Sequence, residues 1–172
     1  TLISNRIIQT ALYNTLNMIQ FYKPNSKNTG NAFGFRLGVQ GKSDEPCLYM
    51  TAIQQHSWNS KTRSGSFSGN SKNPEKSLSV KFNESELGGF IYAIENYQKF
   101  NVFHSFDDNK TSISLSTYSK KDGTKAFSFS LTRNSANKFG IGLEMSEAYL
   151  LAQYLKFVLN KIFTYRTDKL SK

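Results

Sequence analysis

Histidine, cysteine and paired carboxylates are the side chains that support covalent or metal chemistry, and in this chain they are few and scattered. Cys47 is the single cysteine, and His56 and His104 are the two histidines. A lone thiol closes no intramolecular disulfide, and these three residues match no zinc-binding spacing. The sequence holds no GxSxG elbow, P-loop, HExxH or paired CxxC. The close carboxylate pair, Asp107-Asp108, precedes Asn109 in a stretch that reads as a turn, where aspartate is favoured for bonding its own backbone. His104, between Phe103 and Ser105, reads as a packed or hydrogen-bonded strand residue. These residues point away from catalysis and call for no cofactor or metal.

Charge and flat rings are the remaining chemistry. The chain has 22 basic and 12 acidic side chains, a net charge of +10 over 172 residues, so its default partner is a polyanion. Acids are absent from residues 1–43, which carry Arg6, Lys23, Lys27, Arg36 and Lys42. Between 110 and 138, six basic residues face only Asp122. Phosphates are neutralised by Lys and Arg, and bases stack on aromatic rings at about 1–3 kcal/mol each. Trp58, Lys61, Arg63 and Phe67, beside His56, supply both ingredients in one loop; a strand-end tryptophan followed by a solvated basic loop is the equally good plain reading. Lys120, Lys121 and Lys125 flank a second turn, where lysine also serves to blunt a sheet edge.

The elements that must position these residues follow from periodicity. Apolar and polar residues alternate over 32–41, 47–57 and 77–83, then over 100–106, 111–119, 125–133 and 138–144, with a first strand near 11–23. Lys121-Asp122-Gly123 forms a hairpin turn. The buried parity holds Phe33, Phe35, Leu37, Val80, Phe82, Phe127, Phe129, Ile141 and Leu143. The opposite parity is small, polar and basic: Arg36, Ser79, Lys81, Ser114, Ser128, Ser130 and Lys138. With Leu78, Val80, Phe82, Ser85, Glu86 and Phe90 matching Phe139, Ile141, Leu143, Ser146, Glu147 and Leu151 at a spacing of 61, a strand leads into a helix twice. The expectation is an α+β fold of two antiparallel four-stranded sheets, each followed by a helix, carrying both helices on one face. One domain of two repeats, about 11–98 and 99–163, with a basic tail over 164–172, fits the length.

The final helix, about Met145 to Phe163, is apolar nearly all round. A helix of that kind is expected to pack against other subunits, through Leu151, Leu155, Val158 and Ile162; a fully buried core helix is the plainer alternative. No uninterrupted apolar run of membrane-spanning length exists, so no membrane partner is expected. The chain opens Thr1-Leu2-Ile3 without a signal-peptide pattern; removal of an upstream transit peptide would place it in an organelle such as the mitochondrion.

The stretches KSLSVKFNESELGGFI, KFNVFHSFDDN and TSISLSTYSKKDGTKAFSFSLTRNSANKFGIGLEMSEA together resemble the Whirly family of single-stranded DNA-binding proteins, over roughly residues 11–163. At fold level they are also similar to the trypanosome mitochondrial guide-RNA-binding proteins. The resemblance implies two sheets set crosswise and four subunits joined through their helices, as a homotetramer or a hetero-oligomer with a paralogue. It implies single strands lying along the sheets and between neighbouring subunits with little sequence preference. The family's lysine-glycine-lysine-alanine signature is replaced here by Tyr13-Asn14-Thr15-Leu16-Asn17, so that contact does not carry over. The reading is single-stranded nucleic-acid binding, DNA first and RNA second. The alternative is a structural or assembly subunit of a larger ribonucleoprotein or organellar complex.

Overall fold

The alternating segments fold as two meanders, each ending in a helix. The computed structural model describes residues 18–171, so the first part of the expected strand over 11–23, Arg6 and the Tyr13–Asn17 stretch lie outside the described residues. The first meander holds β1 (Met18–Lys23), β2 (Asn31–Val39), β3 (Pro46–Gln54) and β6 (Ser77–Phe82), and leads into helix α1 (Glu84–Glu95). The second holds β7 (Phe100–Phe106), β8 (Asn109–Ser119), β9 (Lys125–Arg133) and β10 (Asn137–Glu144), and leads into helix α2 (Met145–Leu170). The sheets are ordered β1-β2-β3-β6 and β10-β9-β8-β7, antiparallel throughout.

The turn-rich stretch after β3 contains more structure than its Ser and Gly content suggests. A small hairpin, β4 (Ser57–Asn59) with β5 (Ser64–Ser66), is followed by a single 3-10 turn over Ser68–Asn70. Asp107-Asp108 forms the turn between β7 and β8, with Asp107 at φ 50°, a left-handed conformation that aspartate tolerates in a tight hairpin turn.

Each strand-to-helix junction is fixed by a glutamate at the third helical position. Asn83 Oδ1 accepts from the Glu86 N–H at 2.9 Å while the Asn83 N–H donates to Glu86 Oε2 at 3.0 Å, a capping box that satisfies two otherwise orphaned donors. At the second junction the Glu144 N–H donates to Glu147 Oε1 at 2.9 Å. Both glutamates also reach into the opposite half. Glu86 Oε1 lies 2.8 Å from His104 Nε2 on β7, and Lys23 Nζ on β1 donates to Glu147 Oε1 at 2.7 Å. The two halves therefore clasp each other reciprocally, each helix start holding the first strand of the other sheet.

The inner sheet faces share one core. Phe129 of the second sheet meets Phe33 and Phe35 of the first edge-on, with centroids 5.6 and 5.8 Å apart, and stacks on Phe90 of α1 at 5.4 Å and 22°. Leu151, Leu155, Val158 and Ile162 of α2 are buried in this same core. These four were the residues expected between subunits. Their spacing places them on one helix face, and that face is consumed within the protomer. Leu150 and Phe157, 54% and 38% accessible, are exposed on one flank of the helix and Phe163 on the other. The helix also continues past Phe163, so most of the expected tail is helical. Arg166 there pairs with Glu45 at 2.6 Å and with Glu84. Among the described residues no helix is long and apolar enough to cross a membrane.

Candidate nucleic-acid interface

Successive strand residues point to opposite faces, so the ladder registers state which outer-face side chains are neighbours. On the first sheet Arg36, Tyr49 and Lys81 are consecutive partners across β2, β3 and β6, with Gly34, Thr51 and Ser79 forming the next row. The Arg36 guanidinium lies 5.3 Å from the Tyr49 ring centroid, a cation–π contact that holds the fork against the sheet. Lys81 Nζ donates to Gln40 Oε1 at 3.0 Å. On the second sheet Lys138, Thr132, Ser112 and Phe103 make one row, followed by Gly140, Ser130, Ser114 and Asn101, then by Gly142, Ser128 and Ser116. Ser114 Oγ donates to Asn101 Oδ1 at 2.7 Å. Arg36, Ser79 and Lys81 thus share one face, and Ser114, Ser128, Ser130 and Lys138 share the other.

The edges β6 and β7 flank a groove of about 660 Å³, lined by Ser79, Lys81, Phe103, Phe106, Thr111 and Arg133. Phe103 and Phe106 are 61% and 78% exposed. Apolar rings left this open, in a protein whose other strand phenylalanines are buried or packed against the core, are a signature of a binding surface. Arg133 Nε donates to the buried Thr111 Oγ1 at 3.2 Å. Burial pushes the Arg133 pKa below the usual arginine range, yet a guanidinium keeps its charge in proteins. His104, in the groove wall, is held by Glu86 and packs 5.9 Å from the Phe82 ring, consistent with a hydrogen-bonded strand residue. Exposed rings beside fixed cations can stack unpaired bases and neutralise their phosphates.

The remaining expected site residues lie elsewhere. Trp58 is half-buried on β4, paired with Gly65, and Lys61 and Arg63 are exposed at the tip of that hairpin, outside the groove. Phe67 is buried and its ring packs 5.7 Å from Tyr22, so it offers no face to a base: the ring anchors the hairpin to the sheet instead. Lys120, Lys121 and Lys125 sit around the β8–β9 turn, at the opposite end of β8 from the groove. Lys120 is paired with Glu144, which raises its pKa. Lys125 Nζ lies 4.9 Å from the Tyr97 ring centroid, and Lys121 is exposed.

Sequence reasoning missed Phe103, Phe106, Arg133 and Tyr49. A usable signal was present: Phe100 and Phe103 stand three apart in one strand, so period 2 puts them on opposite faces and both cannot be buried.

The architecture is that of a duplicated strand–helix α+β protein, Whirly-like in fold, with a basic and aromatic groove between its sheets. Scanning protein-family models yields no match, and searching curated proteins yields none either. Among solved structures the chain is similar to the crystal structure of WHY1 from Arabidopsis thaliana, with a TM-score of 0.60 and 13% sequence identity over 87% of this chain and 92% of that one. At that identity the likeness is one of fold.

Proposed function

We propose that this protein is a distant relative of the Whirly proteins and a non-catalytic binder of single-stranded nucleic acid, DNA first and RNA second. One observation carries the reading: the β6–β7 groove holds two widely exposed phenylalanines beside Lys81 and Arg133, on a chain of net charge +10. The rings stack bases of any sequence, and Lys81, Arg133 and the neighbouring Arg36 take the phosphates. The fold shared with WHY1 supports the same reading. We take the two repeats as one domain, a reading supported by the single core to which both inner faces contribute.

A second property follows from α2. Leu150 and Phe157 stand on an exposed flank of the helix, and they favour self-association through helices, with a homotetramer as the form suggested by the family resemblance. An assembly-subunit role would use that face without the groove.

The deciding experiment is fluorescence anisotropy with labelled single-stranded DNA, single-stranded RNA and duplex DNA of equal length at two salt concentrations. The reading requires salt-sensitive binding to the single strands in preference to the duplex; absence of binding at low salt shifts the function to assembly.

A further inference from the structure

The duplication that builds the β6–β7 groove builds a second seam, and its side chains differ. At the first seam the last β8–β9 pair is Thr111 with Arg133, and the Asn134 N–H donates to the Lys110 carbonyl at 2.8 Å. At the second seam the last β2–β3 pair is Asn31 with Gln54, and the Gln55 N–H donates to the Gly30 carbonyl at 2.9 Å. The edge strand beside each pair is β6 or β10, whose residues correspond at the spacing of 61, Ser77 with Lys138 and Ser79 with Gly140. The second seam encloses a hollow of about 470 Å³ lined by Asn28, Asn31, Gln54, Asn70, Lys76 and Lys138. Where the first seam presents phenylalanines, this one presents carboxamides and two ammonium groups.

Those carboxamides have defined orientations. Asn28 Nδ2 donates to the His56 carbonyl at 3.2 Å, Asn31 Nδ2 to Gly140 at 3.0 Å, Gln54 Nε2 to Lys138 at 3.0 Å and Asn70 Nδ2 to Gln54 at 2.9 Å. A backbone carbonyl only accepts, so in each case the NH₂ must face it. The oxygens of Asn28, Gln54 and Asn70 are thereby turned away from those carbonyls, on residues that line the hollow with Lys76 and Lys138, and Asn31 Oδ1 is buried there without a hydrogen-bond partner. Asn31 braces β10 against β2.

We propose that this second seam is a base-reading subsite for the same single strand, taking nucleotides whose base carries an exocyclic amine. The amine donates to the amide oxygens and the phosphate sits on Lys76 and Lys138. The proposal rests on the nucleic-acid reading above. The row Lys138, Thr132, Ser112, Phe103 joins the two seams across the second sheet, about 14 Å at the usual strand spacing, so one strand crossing that face reaches both. Stacking at the first seam is indifferent to sequence, whereas the acceptors favour cytosine, adenine and guanine over uracil or thymine.

The test compares oligo-dC with oligo-dU of about twelve nucleotides, within the range of single-strand site sizes; the two bases differ only in the 4-amino and 4-keto groups and their ring proton. The intact chain is expected to bind oligo-dC about 2- to 10-fold more tightly, the equivalent of a net hydrogen bond. Asn28→Ala should bring that ratio towards one, and Lys76→Ala with Lys138→Ala should weaken both oligomers together. Phe103→Ala should weaken both while leaving the ratio unchanged. Equal affinities in the intact chain, or a ratio untouched by Asn28→Ala, overturn the subsite while strand binding stands. No binding to either oligomer removes the subsite together with the nucleic-acid reading.

Discussion

The guanidinium of Arg36 rests 5.3 Å from the centroid of the Tyr49 ring, its direct neighbour across the β2–β3 ladder. Tyr49 in turn pairs with Lys81, so two cations and a ring form a line leading to the groove. Replacing Arg36 and Lys81 with Ala is expected to weaken binding to all single strands alike. It should also reduce the slope of log K against log salt by about 1.4, two phosphate contacts at about 0.7 each. An unchanged slope in a salt titration would remove this face from the interface.

Phe103 and Phe106 make the complementary case. Because their rings are exposed, alanine there removes little packing, so the fold should persist. Each substitution is expected to cost about 1–3 kcal/mol of affinity for single strands, with the salt slope intact. Anisotropy titrations at fixed salt separate this from the effect of the cations; full affinity in the double variant would refute the stacking role.

On α2 two kinds of leucine should behave oppositely. Leu150→Asp with Phe157→Asp alters only the exposed face and is expected to yield a folded protomer of smaller mass by light scattering. Leu155→Asp buries a charge in the core and should prevent folding. If the exposed pair leaves the mass unaltered, the helix face is not the contact between copies.

Adjacent glycines in α1 offer a packing test with opposite signs. A Cβ at Gly89 would come within 2.1 Å of the Phe100 ring, whereas one at Gly88 meets nothing within 4 Å. Alanine is the better helix former by about 1 kcal/mol, so Gly88→Ala should stabilise by up to that amount. Gly89→Ala should destabilise by about 1–3 kcal/mol, because overpacking forces the ring to move. Denaturant midpoints for the two variants give the answer.

Acid sensitivity should centre on Glu147. Burial raises its pKa, but the Lys23 ammonium and the Glu144 N–H outweigh that and hold the carboxyl below the usual glutamate range. A carboxyl depressed in the folded state is protonated first in the unfolded chain. Its contribution is complete above the ordinary value of about 4.3 and is lost as pH falls through the depressed one. Glu147→Gln is expected to lower Tm near neutrality by about 2–4 °C, the shift for about 1 kcal/mol in a chain of this size. It should also flatten the decline of Tm between about pH 5 and pH 3; a decline as steep as that of the intact chain would place the sensitivity elsewhere.

Much of this architecture was legible in the residues alone. Strict alternation along β2, β6, β8, β9 and β10 decides strand and face together, because a pleated strand has period 2 and a core on one side. The paired helix starts were readable from Glu86 and Glu147, since a capping glutamate works within a few residues of itself. The inserted hairpin was not legible: Ser57–Ser66 is short and rich in Ser, and it is tied down by Gln55 on the Ser57 carbonyl and by Phe67 packed on Tyr22, the latter a contact with a distant strand.

The seams belong to tertiary structure. Lys81, Phe103 and Arg133 come from three strands of two sheets, and alternation assigns a side chain to a face without saying which edges meet. The same holds for α2, whose apolar residues surround the helix in sequence. Only docking against α1 and both sheets decides that Leu155 is interior and Leu150 is surface, because burial depends on the neighbouring elements as well as on the helix's own period.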